Sequence, residues 1–427
     1  MSKIGSSRRF ALPSENAHTV VALPRAAIGA FTDANGERWW QIRAMGVATA
    51  PAVDLVSGNR LTALGALSAG CRFFAGYPIT PSSEIYRTMM EELPRRGGLA
   101  LSAPDEISAL SACVGASLAG YPAMTATSGP GFCLMIETVQ YAVMTETPVV
   151  IALVQRLGPS TGGATQGAQG DVLLAEFCTS GGYTIPVFAP SAAAECYELT
   201  RRAFEWSERL RSPVVLLSDK EVGMTLETVD TAALGANAGP VPARRGLPPE
   251  NDVFAPYARG CPAEPPGFAA VGAGVRVVAT GSAHDVQGRL RKPSPEVVDV
   301  LSALQAKIDA HAEALGSARA ELEEGADTLV LSYGVSARAA LEACRRVRAR
   351  GRRVSFLGLQ TLYPVPGAIL GGALERCSRV IVVEENLTGL YAGVLESRLE
   401  GRALVRVNGL GAMITPARIM ASIEGRP

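Results

Sequence analysis

The eight cysteines, at positions 71, 113, 133, 178, 196, 261, 344 and 377, never fall within three residues of one another. The chain therefore has no Cys-x-x-Cys pair, the arrangement that usually holds iron–sulfur clusters and structural zinc. Any cluster that works with this chain belongs to another polypeptide, and most of the thiols, set among apolar neighbours, read as reduced core residues. Net charge is missing as well, because forty basic side chains balance forty acidic ones. That excludes the strong positive field that holds nucleic acid. No apolar run approaches the ~20 residues needed to cross a bilayer. The basic start, Met1 to Phe10, has no apolar segment of signal-peptide length behind it, so a cytoplasmic location is expected. Aromatic residues make up only 6% of the chain, while glycine is plentiful at 45 residues. This composition suits alternating strands and helices more than an aromatic-rich β-sandwich.

What is present is a pattern with four segments, in line with two or three domains at ~150 residues each. Residues 1–55 read as an N-terminal extension. Thr19–Leu23 and Trp39–Arg43 are expected to pair as a hairpin around Asp33-Ala34-Asn35-Gly36, since Asn-Gly is a turn signal. The adjacent Trp39 and Trp40 read as an anchor on the main body or a partner, and a loosely held arm is the other reading. Residues 56–225 alternate strand candidates (Cys71–Ala75, Ala123–Thr127, Thr147–Val154, Thr184–Phe188, Val214–Ser218) with helices such as Ile107–Ala119, Leu134–Thr145 and Ala192–Glu208. Short buried strands alternating with helices imply a parallel sheet. Residues 226–325 read as an irregular connection, dense in Pro and Gly, with a late helix over ~296 to 324. Residues 326–427 resume the α/β pattern, with a strand at Thr328–Ser332 and an amphipathic helix at Ser336–Arg350.

Three places on this pattern carry chemistry. The apolar run ending at Ala75 stops at Gly76-Tyr77-Pro78-Ile79-Thr80-Pro81-Ser82-Ser83-Glu84, and a helix is expected to open at Ser82 or Ser83. Such a junction aims backbone donors and a hydroxyl at a space above the sheet edge, a place for a carboxylate. Read alone, Thr80 is a helix-capping turn residue. Arg156 follows the apolar strand ending at Val154. A guanidinium there is costly unless it meets an anion: either a bound carboxylate or a buried partner such as Glu137 or Asp171. Ser128-Gly129-Pro130-Gly131 follows the strand ending at Thr127. In open α/β sheets, sites gather at the carboxyl ends of strands, and Thr80, Ser128 and Arg156 all fall there.

Three segments, in order, resemble the alpha subunits of the 2-oxoacid:ferredoxin oxidoreductases. They are Val56-Ser57-Gly58-Asn59 leading into the Tyr-Pro-Ile-Thr-Pro-Ser-Ser turn; Asp105-Glu106-Ile107-Ser108-Ala109 with Thr125 to Gly131; and Val154-Gln155-Arg156-Leu157-Gly158-Pro159-Ser160-Thr161-Gly162-Gly163-Ala164-Thr165 ending at Gly167-Ala168-Gln169-Gly170-Asp171. The likeness is strong over residues 55–225 and looser over 326–400. It implies an α/β fold: a parallel-sheet domain of the thiamine-diphosphate-binding, pyrimidine type over 56–225, and a smaller α/β domain like the transketolase C-terminal domain over 326–427.

The resemblance also implies roles. Glu106 is the carboxyl that holds the proton at the cofactor's aminopyrimidine nitrogen; without the motifs, Asp105 and Glu106 read only as favourable charges at a helix start. Pro104 stands where the family more often has another acid. Thr80, Arg156 and Thr161 are expected to bind the 2-oxoacid, and Tyr77, Pro78, Ser128 and Gly129 to line the thiamine diphosphate. His284-Asp285 resembles a pair near the family's site, with a structural turn as the other reading. Glu384-Glu385-Asn386 is expected to be structural or to lie at a subunit interface. The third segment looks most like 2-oxoglutarate members, implying succinyl-CoA, carbon dioxide and reduced ferredoxin as products from 2-oxoglutarate and coenzyme A. Pyruvate, branched-chain and aryl 2-oxoacids stay open, as do another thiamine enzyme and a non-catalytic scaffold. The Gly-Asp-Gly…Asn pattern that binds diphosphate and Mg²⁺ is missing, and Gly170-Asp171-Val172 lacks the second Gly. A beta subunit is therefore expected to carry the diphosphate site, Mg²⁺ and a [4Fe-4S] cluster, in an alpha2beta2 assembly with no metal bound by this chain.

Overall fold

The computed structural model describes residues 53–234 and 254–425, the single residues 241, 244 and 246, and the backbone of 28–32 and 38–42. Residues 1–52 form one unit and 53–427 another. In the first, β1 (Ile28–Thr32) pairs antiparallel with β2 (Arg38–Ile42). The hairpin expected there exists, but its first strand is Ile28–Thr32; Thr19–Leu23 and the turn lie outside the described residues, as do the two tryptophan side chains.

The second unit opens with β3 (Val53–Ser57), whose antiparallel partner β10 (Leu226–Asp230) closes the first half of the unit. Between them run β4 (Phe73–Gly76), β5 (Leu99–Ser102), β6 (Ala123–Thr127), β7 (Val149–Gln155), β8 (Val187–Phe188) and β9 (Pro213–Asp219). Later come β11 (Ala318–Glu321), β12 (Thr328–Tyr333), β13 (Ser355–Leu359), β14 (Thr361–Tyr363), β15 (Arg379–Glu384) and β16 (Ala403–Asn408). One sheet has the order β14-β8-β9-β7-β6-β4-β5 and a second β11-β13-β12-β15-β16. Both are parallel except for their antiparallel edge strands β14 and β11. The sequence dictates the centre of the larger sheet. Val-Val-Ile-Ala-Leu-Val-Gln in β7 and Pro-Val-Val-Leu-Leu-Ser-Asp in β9 are buried at every position. Continuous apolar runs of this kind fit strands covered by helices on both faces. One apolar core joins the two sheets, from Ile151 and Leu153 through Val172 to Tyr333, Tyr363 and Tyr391.

The helices that matter for the site are α1 (Gly58–Ser68), α2 (Ser83–Arg95), α3 (Glu106–Leu118) and α4 (Gly129–Met144). After α5 (Val172–Glu176) come α6 (Ala193–Leu210), α7 (Lys220–Met224) and α8 (Pro295–Asp309). α4 starts well before the expected Leu134, because Pro130 sits in its first turn, where the missing N–H costs nothing. The helix expected to reach residue 324 ends at Asp309, and Ala318–Glu321 forms β11 instead. Its alternating Ala-Arg-Ala-Glu suits an edge strand, and pairing with β13 overrides the helical spacing.

The connection from 254 to 294 has no helix, and its only pairing is an isolated bridge from His284 to Leu290. Polar bonds to the ends of the helices hold it in place. Arg211 donates to Gly267 O at 2.7 Å, and Val271 N to Leu118 O at 2.9 Å. Arg244 pairs with Glu208 and lies 4.6 Å from the Phe268 ring centre.

Candidate active site

Three neighbouring parallel strands, β4, β6 and β7, release the chain on one side of the sheet. Past β4 lies the Tyr77–Ser82 turn. Asn59 Nδ2 donates to Pro81 O at 2.9 Å, and Ser57 Oγ to Glu84 Oε2 at 2.6 Å. The Ser-Gly-Asn start of α1 thus holds the turn. Ser82 occupies the N-cap of α2, yet its hydroxyl donates to Ile79 O at 2.9 Å and not to the helix, so it closes the turn. Tyr77 is 40% exposed and Pro78 is exposed.

Past β7, Arg156 is only 6% exposed. Its Nη1 donates to the Thr80 carbonyl at 2.6 Å, and its Nε has no hydrogen-bond partner among the described residues. The structure therefore brings Arg156 and Thr80 together through the backbone, which leaves the Thr80 hydroxyl out of the contact. Past β6, Ser128 is fully buried and its Oγ also lacks a partner among the described residues.

Glu106 opens α3 behind the N-cap Asp105, whose side chain accepts from Ser108 N at 2.7 Å. It is 6% exposed. Its carboxyl lies against the first turn of α4: a Cβ on Gly131 would fall on Glu106 Oε1 and Thr127 Oγ1. Asp171 presses on the same turn at Gly129, where a Cβ would come 2.7 Å from its Oδ1 and 2.8 Å from its Oδ2. The two glycines are required because two carboxyls pack against them. Gly131→Ala is expected to cost about 1–3 kcal/mol of stability as overpacking. An unchanged denaturation midpoint would show that Glu106 can move aside.

Thr161 stands apart from these groups. It is exposed on a loop closed by Leu157 N to Gln166 O at 2.8 Å and Gly163 N to Leu157 O at 2.8 Å. The base of that loop is fixed by Gln169, which is fully buried. Its Nε2 donates to Asp219 Oδ2 at 3.2 Å and to Tyr333 O at 3.0 Å. Its Oε1 accepts from Ser336 Oγ and Glu385 N, both at 2.8 Å. Burial raises the Asp219 carboxyl well above the usual range, and burial moves Glu385 up to about 7. Glu384 and Asn386 act structurally here: Glu384 accepts from Tyr391 N and Ala392 N, both at 2.9 Å.

His284 and Asp285 form a turn. Asp285 Oδ1 accepts from Gln287 N at 3.0 Å and Arg289 N at 2.9 Å. His284 lies 4.0 Å from the Tyr257 ring centre and reaches Met144 O, at the end of α4 opposite Gly129. Sequence reasoning gave no role to Asn59 beyond its place in the first segment, and it offered Asp171 only as a buried ion-pair partner of Arg156, a pair that is not formed among the described residues. The available signals were a polar residue in the first turn of a buried helix, and a lone acid before Val172-Leu173-Leu174.

The buried groups left open at this spot fit a bound cofactor and an anionic substrate. They are the Ser128 hydroxyl and Arg156 Nε, with the Glu106 carboxyl at Gly131; Asn59 Oδ1, also without a partner among the described residues, faces Gly223 of α7. Among the described residues no group of three or more His, Cys, Asp or Glu side chains is arranged to hold a metal. No helix of the described residues is long and apolar enough to cross a membrane.

The chain matches the family model of the thiamine-diphosphate-binding part of pyruvate flavodoxin/ferredoxin oxidoreductases over residues 64–266. It matches that of pyruvate:ferredoxin oxidoreductase core domain II over 326–414. The 2-oxoglutarate synthase subunit KorA of Methanothermobacter thermautotrophicus is 40% identical over 343 residues, covering 79% of this chain and 88% of that one. KorA of Archaeoglobus fulgidus is 37% identical over 376 residues, covering 87% and 99%. Among solved structures, a 2-oxoglutarate:ferredoxin oxidoreductase from Magnetococcus marinus, with 2-oxoglutarate, coenzyme A and succinyl-CoA bound, aligns with a TM-score of 0.81 at 28% identity. The alignment covers 87% of this chain and 65% of that longer one.

Proposed function

We infer the function from membership, since the chain belongs to the alpha subunits of the 2-oxoacid:ferredoxin oxidoreductases, and among them to the 2-oxoglutarate type. It contributes half of a thiamine-diphosphate-dependent active site. The reaction converts 2-oxoglutarate and coenzyme A to succinyl-CoA and carbon dioxide, with two electrons passing to ferredoxin. The observation that carries the reading is that Glu106 packs on the start of α4 beside the buried, unpartnered Ser128 hydroxyl, while Arg156, at the end of the neighbouring strand β7, keeps its Nε open, all at the carboxyl ends of parallel strands.

When bound, thiamine diphosphate supplies the nucleophilic carbon on which decarboxylation depends. The residues of this chain do the rest of its half. Glu106 holds a proton at the aminopyrimidine ring nitrogen. Ser128 and Gly129, with Tyr77 and Pro78 on the facing turn, line the ring. Arg156, fixed by the Thr80 carbonyl, offers its remaining donors to the substrate carboxylate, and the Thr80 hydroxyl faces the same anion. Thr161 joins them only if its exposed loop folds inward. The domain boundaries expected from sequence, at about 56, 226 and 326, belong to this reading.

With no Gly-Asp-Gly…Asn pattern and no Cys-x-x-Cys pair in the chain, the beta subunit carries the diphosphate site, Mg²⁺ and a [4Fe-4S] cluster, in an alpha2beta2 assembly. Eight free cysteines suit a reducing compartment, the cytoplasm.

The chain, co-purified anaerobically with its beta subunit, is expected to reduce a viologen dye in a coenzyme-A-dependent manner, fastest with 2-oxoglutarate in a panel of 2-oxoacids. A complex shown to contain thiamine diphosphate and iron but inactive with every oxoacid would sink the reading. Preference for pyruvate or a branched-chain oxoacid would correct the substrate alone. Arg156→Leu is expected to raise the KM for the oxoacid about 10–100-fold, the worth of a charge-assisted hydrogen bond. An unchanged KM would remove Arg156 from the substrate.

A further inference from the structure

Pro78 and Pro81 leave the Tyr77–Ser82 turn short of backbone donors. Side chains hold it instead. The Ile79 carbonyl accepts from Ser82 Oγ at 2.9 Å, the Thr80 carbonyl from Arg156 Nη1 at 2.6 Å, and the Pro81 carbonyl from Asn59 Nδ2 at 2.9 Å. Three successive carbonyls are thus each held by one side chain. Ser82 belongs to the turn itself, and Arg156 offers its open donors to the substrate. Asn59 does neither. It lies in the first turn of α1, only 1% exposed, and its Oδ1 has no hydrogen-bond partner among the described residues. Behind it stands α7, where a Cβ on Gly223 would come 2.6 Å from that oxygen. A buried amide whose oxygen bonds to nothing is costly, and among the described residues its one side-chain bond goes to the turn.

We propose that Asn59 is a positioning residue for Arg156: by holding the Pro81 carbonyl it fixes the direction of the Thr80 carbonyl, and so the place from which the guanidinium meets the 2-oxoacid. The inference rests on the reading of Arg156 as the seat of the substrate carboxylate. The link between the two carbonyls is short. Peptide groups are planar, so these carbonyls turn relative to one another only through φ and ψ of Pro81. The proline ring locks φ. One rotation is left, ψ of Pro81, and the bond from Asn59 restrains it from outside the turn.

The surroundings make Asn59 a firm anchor. The Ser57 hydroxyl caps α1 by accepting from Arg60 N at 3.1 Å, and it donates to Glu84 Oε2 at 2.6 Å in the first turn of α2. The start of α1 and the end of the turn therefore share one frame. Arg156, in contrast, has a single polar anchor among the described residues, the Thr80 carbonyl, and its Nε is open. A carbonyl that swings takes the guanidinium with it, and a misplaced binding group loses much of its worth. Ser128 and Glu106 follow other strands, β6 and β5, and do not hang on this turn.

The test uses the complex with its beta subunit, thiamine diphosphate and Mg²⁺. Two variants remove the donor: Asn59→Ala, and Asn59→Leu, which fills the space of the amide and so reports the hydrogen bond and not a hole, and which serves if the alanine variant does not fold. The probe is 2-hydroxyglutarate, which carries both carboxylates of 2-oxoglutarate and cannot be decarboxylated. Each variant is expected to raise its Kd, measured by calorimetry, and the KM for 2-oxoglutarate about 3–10-fold, the net worth of one hydrogen bond. Turnover should stay within about twofold, the pattern of a loss in binding alone. The deciding comparison is made in Arg156→Leu, where removing the Asn59 donor should raise the Kd no further, because the group it places is gone. A rise of the same size in that background overturns the proposal. So does an unchanged Kd in the single variants, or a fall in kcat as large as the rise in KM, which would make Asn59 a general support of α1. If Arg156→Leu alone binds the probe as tightly as the wild type, the substrate seat itself has failed, and the proposal with it.

Discussion

Glu106→Gln is expected to leave the chain folded and paired with its beta subunit while lowering turnover by about 10²–10⁴-fold, the usual loss when a positioned acid–base group is removed. The fold should not notice the change. Glutamine has the same shape, its Oε1 keeps its seat over Gly131, and the α3 start stays capped by Asp105. No hydrogen bond from the described residues depends on the charge of Glu106. Glutamine cannot share a proton with the ring nitrogen, so the loss falls on turnover and not on the KM for 2-oxoglutarate. Dye reduction measured beside the thermal midpoint separates the two effects. Normal turnover with an unchanged midpoint would remove Glu106 from the chemistry and leave the helix-start role as its explanation.

Much of this site could be read from residues alone because each part has a local cause. Seven buried residues end at Gln155 and Arg156 follows, and a charge placed directly after such a strand needs an anion wherever the chain goes next. The Tyr-Pro-Ile-Thr-Pro-Ser-Ser turn is marked by its own prolines and hydroxyls. The remainder depends on pairs far apart in sequence. Nothing local states that Arg156 bonds to the Thr80 backbone rather than its hydroxyl. Gln169 stands in the third segment with nothing local to say what it touches, yet it meets Asp219, Tyr333, Ser336 and Glu385. β14, at Thr361–Tyr363, completes a sheet otherwise built from residues 73–219. Three residues carry too little periodicity to declare a strand, and the pairing with β8 decides it. The early start of α4 was missed for a related reason. Gly129-Pro130-Gly131 looks like a turn until one sees that Glu106 and Asp171 need its two bare Cα atoms.

The largest stability change is expected from Glu146→Gln, at the end of α4 opposite the site. Glu146 is fully buried. Its Oε2 accepts from Lys307 Nζ on α8 at 2.8 Å, its Oε1 pairs with Arg259 of the connection, and its carbonyl accepts from Arg211 Nε at 3.0 Å. Burial pushes the carboxyl up, and Lys307, Arg259 and Arg211 together more than offset this, holding it below its ordinary 4.5. Lys307 is lowered too, to about 8, because burial is its leading effect and it shares a single carboxylate with two arginines. Breaking a buried pair costs about 3–5 kcal/mol, since the partner is left charged and uncompensated; here three cations lose one anion. The deficit should be full at neutral pH. A carboxyl held low in the folded state stabilises above its unfolded value and ceases to do so as pH falls through its folded one, so wild type and variant should converge in acid. Urea midpoints across pH measure this. A constant difference would mean that Glu146 acts by shape and not by charge. Because Lys307 and Arg259 fasten α8 and the connection at 259 to the end of α4, proteolysis between residues 254 and 294 should also quicken. A loosened α4 would carry Gly129 and Gly131 away from Asp171 and Glu106, so some activity should be lost although Glu146 lies at the far end of the helix from the chemistry.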